Sequence, residues 1–168
     1  MPRPHIEPYD ERPDPFKRMT LPGFGKGMHY KTLSMDTDTG ECSLLVKFES
    51  GYKLPPGMSY AELEMFVVSG SVTYGDTTYG EGYYFLIPPG VTMPEMTVKR
   101  GAKVIMFYNY GEPSFISSDE DHPLAERERL SIINSMADIA WMPGNRIVPS
   151  VASGCMLKLL KYDIHTEA

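Results

Sequence analysis

The sequence predicts an all-β domain folded as a small jelly-roll barrel, and three observations carry that prediction. Short runs of aromatic and β-branched residues recur from about Met28 to Tyr110, with turn residues about every eight to twelve positions. Fifteen glycines and fifteen prolines punctuate the 168 residues and leave little room for long helices. The strongest run, Tyr83-Tyr84-Phe85-Leu86-Ile87, enters directly from Gly82 and stops at Pro88-Pro89-Gly90, as a buried strand closed by a tight turn does.

Taken in order, residues 1–24 hold Pro2, Pro4, Pro8, Pro13, Pro15 and Pro22, which block regular structure and predict an extended N-terminal arm. The barrel itself is expected over 25–116. Residues 31–36 and 42–48 read as strands around the turn Asp38-Thr39-Gly40, and 51–57 as the loop beyond them. Residues 63–74 form the next apolar run, followed by turns at Gly75-Asp76 and Gly80-Glu81-Gly82, then by strands at 96–99 and 103–110.

An acidic linker follows over 117–140. Pro123 and its acidic neighbours predict the first turn of a short helix near the C-terminus over 124–130, while Ile132-Ile133 is compatible with a strand. Residues 141–168 contain a repeat: 154–166 aligns without gaps on 27–39, sharing Gly, Lys, Leu, Asp and Thr at equal spacing.

Composition bounds the function. A chain of 168 residues with 42% hydrophobic content suits one domain with a real core. The net charge of −6, with no basic run longer than Lys99-Arg100, argues against nucleic-acid partners and anionic membrane surfaces. No stretch is apolar enough to span a bilayer or serve as a signal peptide, which predicts a cytoplasmic protein. Cys42 and Cys155 have no pairing or metal-type spacing and read as buried, reduced thiols.

Gly82, Pro88 and Gly90 fall on every fixed glycine and proline place of the second motif of the cupin family, which the sequence resembles. That motif ends in a histidine, and here the place holds Met93. The first cupin motif supplies His-x-His and a glutamate, yet residues 54–64 contain no histidine. The resemblance is similar to that of the anti-sigma-factor-type cupins, in which a Trp-x-Pro stretch precedes a strand like that of 154–166; Trp141-Met142-Pro143 occupies that place. It implies a double-stranded β-helix whose barrel centre normally carries a divalent metal.

Matching His-x-His onto Met58-x-Tyr60 leaves three residues before Glu64, the family spacing, whereas counting seven back from Gly70 reaches Leu63. Glu62 and Glu64 therefore compete for the interior, since one residue of slip turns a strand side chain to the other face. A set of Met58, Tyr60, Glu64 and Met93 suits neither iron, manganese nor zinc, so no metal and no cofactor are expected. The candidate catalytic residues are Glu64 as base and Tyr60 as proton donor, with Met58, Glu62, Phe66, Met93, Tyr84 and Tyr108 as ligand-binding residues.

Three functions remain open on this reading. One is a metal-independent cupin that binds a small molecule, as an isomerase, lyase or cyclase. Another is a non-catalytic sensor or the degenerate half of a two-cupin protein. The third is a metal-dependent dioxygenase with unusual ligands, against which the residues argue. The apolar strand near the C-terminus further predicts a homodimer, or a partner cupin chain, joined through edge strands.

Overall fold

In the computed structural model, residues 14–150 and 152–161 are described. The chain forms β1 (Lys17–Arg18), β2 (Met28–Met35), β3 (Cys42–Phe48), β4 (Tyr52–Leu54), β5 (Gly57–Met58), β6 (Glu62–Gly70), β7 (Val72–Tyr74) and β8 (Thr77–Tyr79). It continues through β9 (Tyr83–Ile87), β10 (Met96–Val98), β11 (Ala102–Asn109), β12 (Ile116–Ser117), β13 (Ser131–Asn134), β14 (Met142–Pro143) and β15 (Met156–Leu157).

All described pairings are antiparallel. A seven-stranded sheet runs β1-β2-β3-β11-β6-β9-β13, and a four-stranded sheet runs β4-β10-β7-β8. Their facing side chains close one core: Val46, Met65 and Val104 from the first meet Tyr52, Val72 and Val98 from the second. This two-sheet jelly roll is the cupin architecture expected from the sequence.

Strand alternation fixes what faces that core. Along β6, Leu63, Met65 and Val67 point inward, and Glu62, Glu64 and Phe66 lie on the opposite face. A bulge at the Lys103/Val104 step of β11 pairs Ser69 and then Val67 across the ladder, so Val68 is the extra residue. The disruption lies beyond Glu64 and leaves the Leu63 register intact.

Several expected segments take a definite form. The arm beyond residue 13 is stitched to the barrel, since Lys17 and Arg18 pair with Tyr30 and His29, and Met19 is buried. The rest of that arm, residues 1–13, lies outside the described residues. The short helix expected over 124–130 is one 3-10 turn, Arg127–Arg129, and no side chain caps it. Ile132 and Ile133 belong to β13, the edge strand beside β9.

The acidic linker acts as a strap across the second-motif loop. Thr92 N–H donates to the Asp121 carboxylate at 2.8 Å, and His122 N–H to the Gly90 carbonyl at 2.9 Å. Arg127 holds Asp121 with two guanidinium nitrogens and donates to the Thr92 carbonyl at 3.0 Å. Gly90 is required there: its φ is +72°, and a Cβ would meet the His122 Cβ at 2.7 Å. Of the repeat over 154–166, Met156–Leu157 pairs with Met142–Pro143, and residues 162–168 lie outside the described residues.

Candidate functional site

The barrel interior is where the cupin resemblance places chemistry. Its wall is apolar, made largely of methionine and aromatic side chains, and encloses a cavity of about 20 Å³, room for about one water molecule. Leu63 occupies the place counted back from Gly70, Met93 the place of the final histidine, and Ser59 a neighbouring position. Ser59 faces Ser114, with the two hydroxyl oxygens 3.3 Å apart.

Those residues do not fit a divalent metal. One hydroxyl and a thioether offer no imidazole or carboxylate to iron, manganese or zinc. Among the described residues, no group of three or more His, Cys, Asp or Glu side chains is placed to hold an ion.

Besides Ser59 and Ser114, three tyrosines bring polar atoms to the barrel interior. Burial pushes the Tyr52 and Tyr74 phenols up to about 12, and Tyr108 is raised further for the same reason. All three are therefore neutral hydrogen-bond donors. Their hydroxyls have weak acceptors: Tyr52 and Tyr108 donate to the sulfurs of Met28 and Met106, each at 3.9 Å, and the Tyr52 oxygen also meets the Gly25 backbone. The Tyr74 hydroxyl is buried and has no hydrogen-bond partner among the described residues.

The acid-base groups gather on the outer face of the seven-stranded sheet instead. Glu62 is fully buried, and its carboxylate receives Arg129 at 2.7 Å and Lys161 at 2.5 Å. Glu64 accepts the Tyr84 hydroxyl at 2.6 Å, Asn109 at 2.7 Å and Lys161 at 3.1 Å. Burial raises the Tyr84 phenol, and the carboxylate it faces raises it again. Burial works to lower Lys161, but its bonds to Glu62 and Glu64 prevail and hold it above the ordinary lysine value.

Every oxygen of the two carboxylates thus has a donor. Glu64, Tyr84 and Lys161 of the cluster line a cleft of about 430 Å³, together with Phe66, Phe107, Lys158 and Leu160. A base committed to this many donors has little capacity left for a substrate proton, so the arrangement reads as a clasp for the C-terminal segment.

The residues singled out in the sequence consequently separate. Met93 and Tyr108 line the barrel; Glu62, Glu64, Phe66 and Tyr84 lie on the outer face; Met58 is half-buried in β5. Tyr60 is 58% exposed, with its ring edge-on to His122. Glu64 and Tyr60 are not brought together, and neither Glu62 nor Glu64 faces the interior. Arg129, Lys161 and Asn109 escape a sequence reading because they reach the cluster from distant segments. Leu63 was signalled by the count from Gly70.

The sequence profile of a family described as "Domain of unknown function (DUF4437)" matches residues 24–168. No curated protein matches the sequence. A protein from Nostoc punctiforme, described provisionally as a dioxygenase, superposes with a TM-score of 0.81 at 22% identity, covering 93% of this chain and 56% of its own. This chain therefore spans about half the length of that protein. A polyketide cyclase from Streptomyces resistomycificus gives a TM-score of 0.56 at 17% identity, over 70% of this chain and 89% of its own. An acetylacetone dioxygenase from Acinetobacter johnsonii gives 0.54 at 12% identity, over 72% and 83%. At these identities the likeness establishes the fold.

Proposed function

The chain belongs to the DUF4437 family, and we propose that it is a cupin that binds a small apolar molecule inside its barrel without the usual metal. One observation carries this reading: Leu63 and Met93 stand at two of the ligand places, with Ser59 beside them, while the barrel stays closed and lined largely by apolar side chains. Met28, Met65, Met93, Met96 and Met106 line it, and unbranched thioether side chains rearrange readily, so a cavity of about 20 Å³ can widen around an occupant. Fold neighbours named as a cyclase and an acetylacetone dioxygenase are consistent with small organic molecules.

The reading is of a binding module. Because Glu64 points out of the barrel and its oxygens are engaged, the isomerase, lyase or cyclase chemistry built on Glu64 and Tyr60 has no base beside the proposed ligand. A second reading, half of a two-barrel protein, is supported by coverage of only 56% of the Nostoc protein. The exposed edge at β13 would be the place for a second copy or a partner barrel to pair.

The test is a titration with ethylbenzene, followed through the ¹³C-methyl signals of methionine with and without a chelator. Saturable shifts of the interior methionines, unchanged by chelation and lost in Met93→Trp, are expected. Shifts confined to exposed Met136 and Met142, or binding only after iron, manganese or zinc is added, would overturn the reading.

A further inference from the structure

We infer that the barrel's occupant is an uncharged molecule bearing an oxygen acceptor, a carbonyl or ether on an apolar body, received by Tyr74 together with Tyr52 or Tyr108. The inference rests on the binding reading above and names the chemistry of the ligand.

Its basis is an imbalance of donors over acceptors. Tyr74 lines the cavity, is 92% buried by its 8% exposure, and has a hydroxyl with no partner. Among the described residues, Tyr52 and Tyr108 donate to thioether sulfurs, which are weak acceptors, although the Tyr52 oxygen also meets the Gly25 backbone. Tyr52 stands close enough to Tyr108 to contribute to its raised phenol. A barrel serving only as packed core would lose nothing by carrying phenylalanine in place of Tyr74, and would be relieved of an orphan donor.

Charge is excluded by the same wall. Among the described residues, no lysine, arginine or carboxylate lines the cavity. The charges that act on Tyr74, Arg127 and Asp121, lie outside the lining and are committed to each other. An ion would have to give up its hydration with no partner in return. An oxygen acceptor has a donor waiting, and the apolar remainder of the ligand has methionine to lie against.

Acetophenone and ethylbenzene, similar in size and differing in one oxygen acceptor, make the test. Methionine-methyl titrations of the wild-type protein are expected to show acetophenone binding about tenfold more tightly, the difference one satisfied buried donor makes. In Tyr74→Phe that preference should shrink to about twofold or less, with ethylbenzene affinity retained. Equal binding of both probes to the wild type would overturn the inference, with a buried water alone serving Tyr74, and leave the barrel reading standing. Failure of either probe to shift the interior methionines would overturn both. Because the wild-type comparison is decisive by itself, the test survives if Tyr74→Phe folds poorly.

Discussion

Lys161 Nζ bridges two carboxylates of one strand, 2.5 Å from Glu62 and 3.1 Å from Glu64, across ninety-nine residues of chain. Arg129 completes the pairing of Glu62 from a third segment. The strap and the C-terminal segment are thereby fastened to the outer face of the sheet at one point. The interior remains free of charge.

Loss of that fastening should be costly. Glu62→Gln leaves Arg129 and Lys161 without their buried counter-charge, and we expect a loss of about 2–3 kcal/mol in urea unfolding. Glu49→Gln, which removes an exposed partner of His29, should cost less than about 1 kcal/mol. A double-mutant cycle of Glu62→Gln with Lys161→Met should show coupling; additive losses would detach the C-terminal segment from the cluster.

The two faces of β6 should respond oppositely to exchange of charge. Leu63→Glu puts an unpaired carboxylate into the barrel and is expected to cost more than about 3 kcal/mol, enough to unfold much of the protein at 25 °C. Glu64→Leu, at the neighbouring position, removes a half-buried group from the outer face and should cost about 1–2 kcal/mol. Circular dichroism melts would compare them, and the reverse ranking would place Glu64 inside.

The strap should loosen in acid. Hydrogen bonds from Arg127 hold the Asp121 carboxyl at about 2, below its ordinary 3.8. A depressed carboxylate stabilises the fold above its unfolded value and ceases to do so as pH falls through the folded value. The contribution is therefore complete above about pH 4 and disappears between about 4 and 2. Amide exchange at Thr92 and His122 should accelerate over that window, and Asp121→Asn should abolish the pH dependence. Exchange that is flat with pH in the wild type would show that the strap is held by its backbone bonds alone.

Two buried tyrosines offer a further contrast. Tyr84→Phe removes the donor to Glu64 and should destabilise by about 1–2 kcal/mol. Tyr74→Phe removes a hydroxyl without a partner and should be neutral or stabilising by up to about 1 kcal/mol. A loss for Tyr74→Phe as large as that for Tyr84→Phe would reveal an acceptor, such as a trapped water, in the ligand-free barrel.

Local pattern sufficed for the barrel. Alternating apolar runs, the Gly82-Pro88-Gly90 spacing and the turn residues named the strands, because a strand's face and a turn's backbone are set by neighbours within a few positions. Met93 at the place of the motif's final histidine is likewise read from the sequence alone. Tertiary structure decided which residues meet. Glu62 and Glu64 drew attention as rivals for the interior, yet Leu63 takes that face, and both carboxylates turn to Arg129 and Lys161. No spacing rule links β6 to residues so far along the chain. The orphan hydroxyl of Tyr74 is likewise a property of its enclosure: a phenol in sequence is merely a donor, and only the packed walls around it determine that nothing within reach accepts its hydrogen.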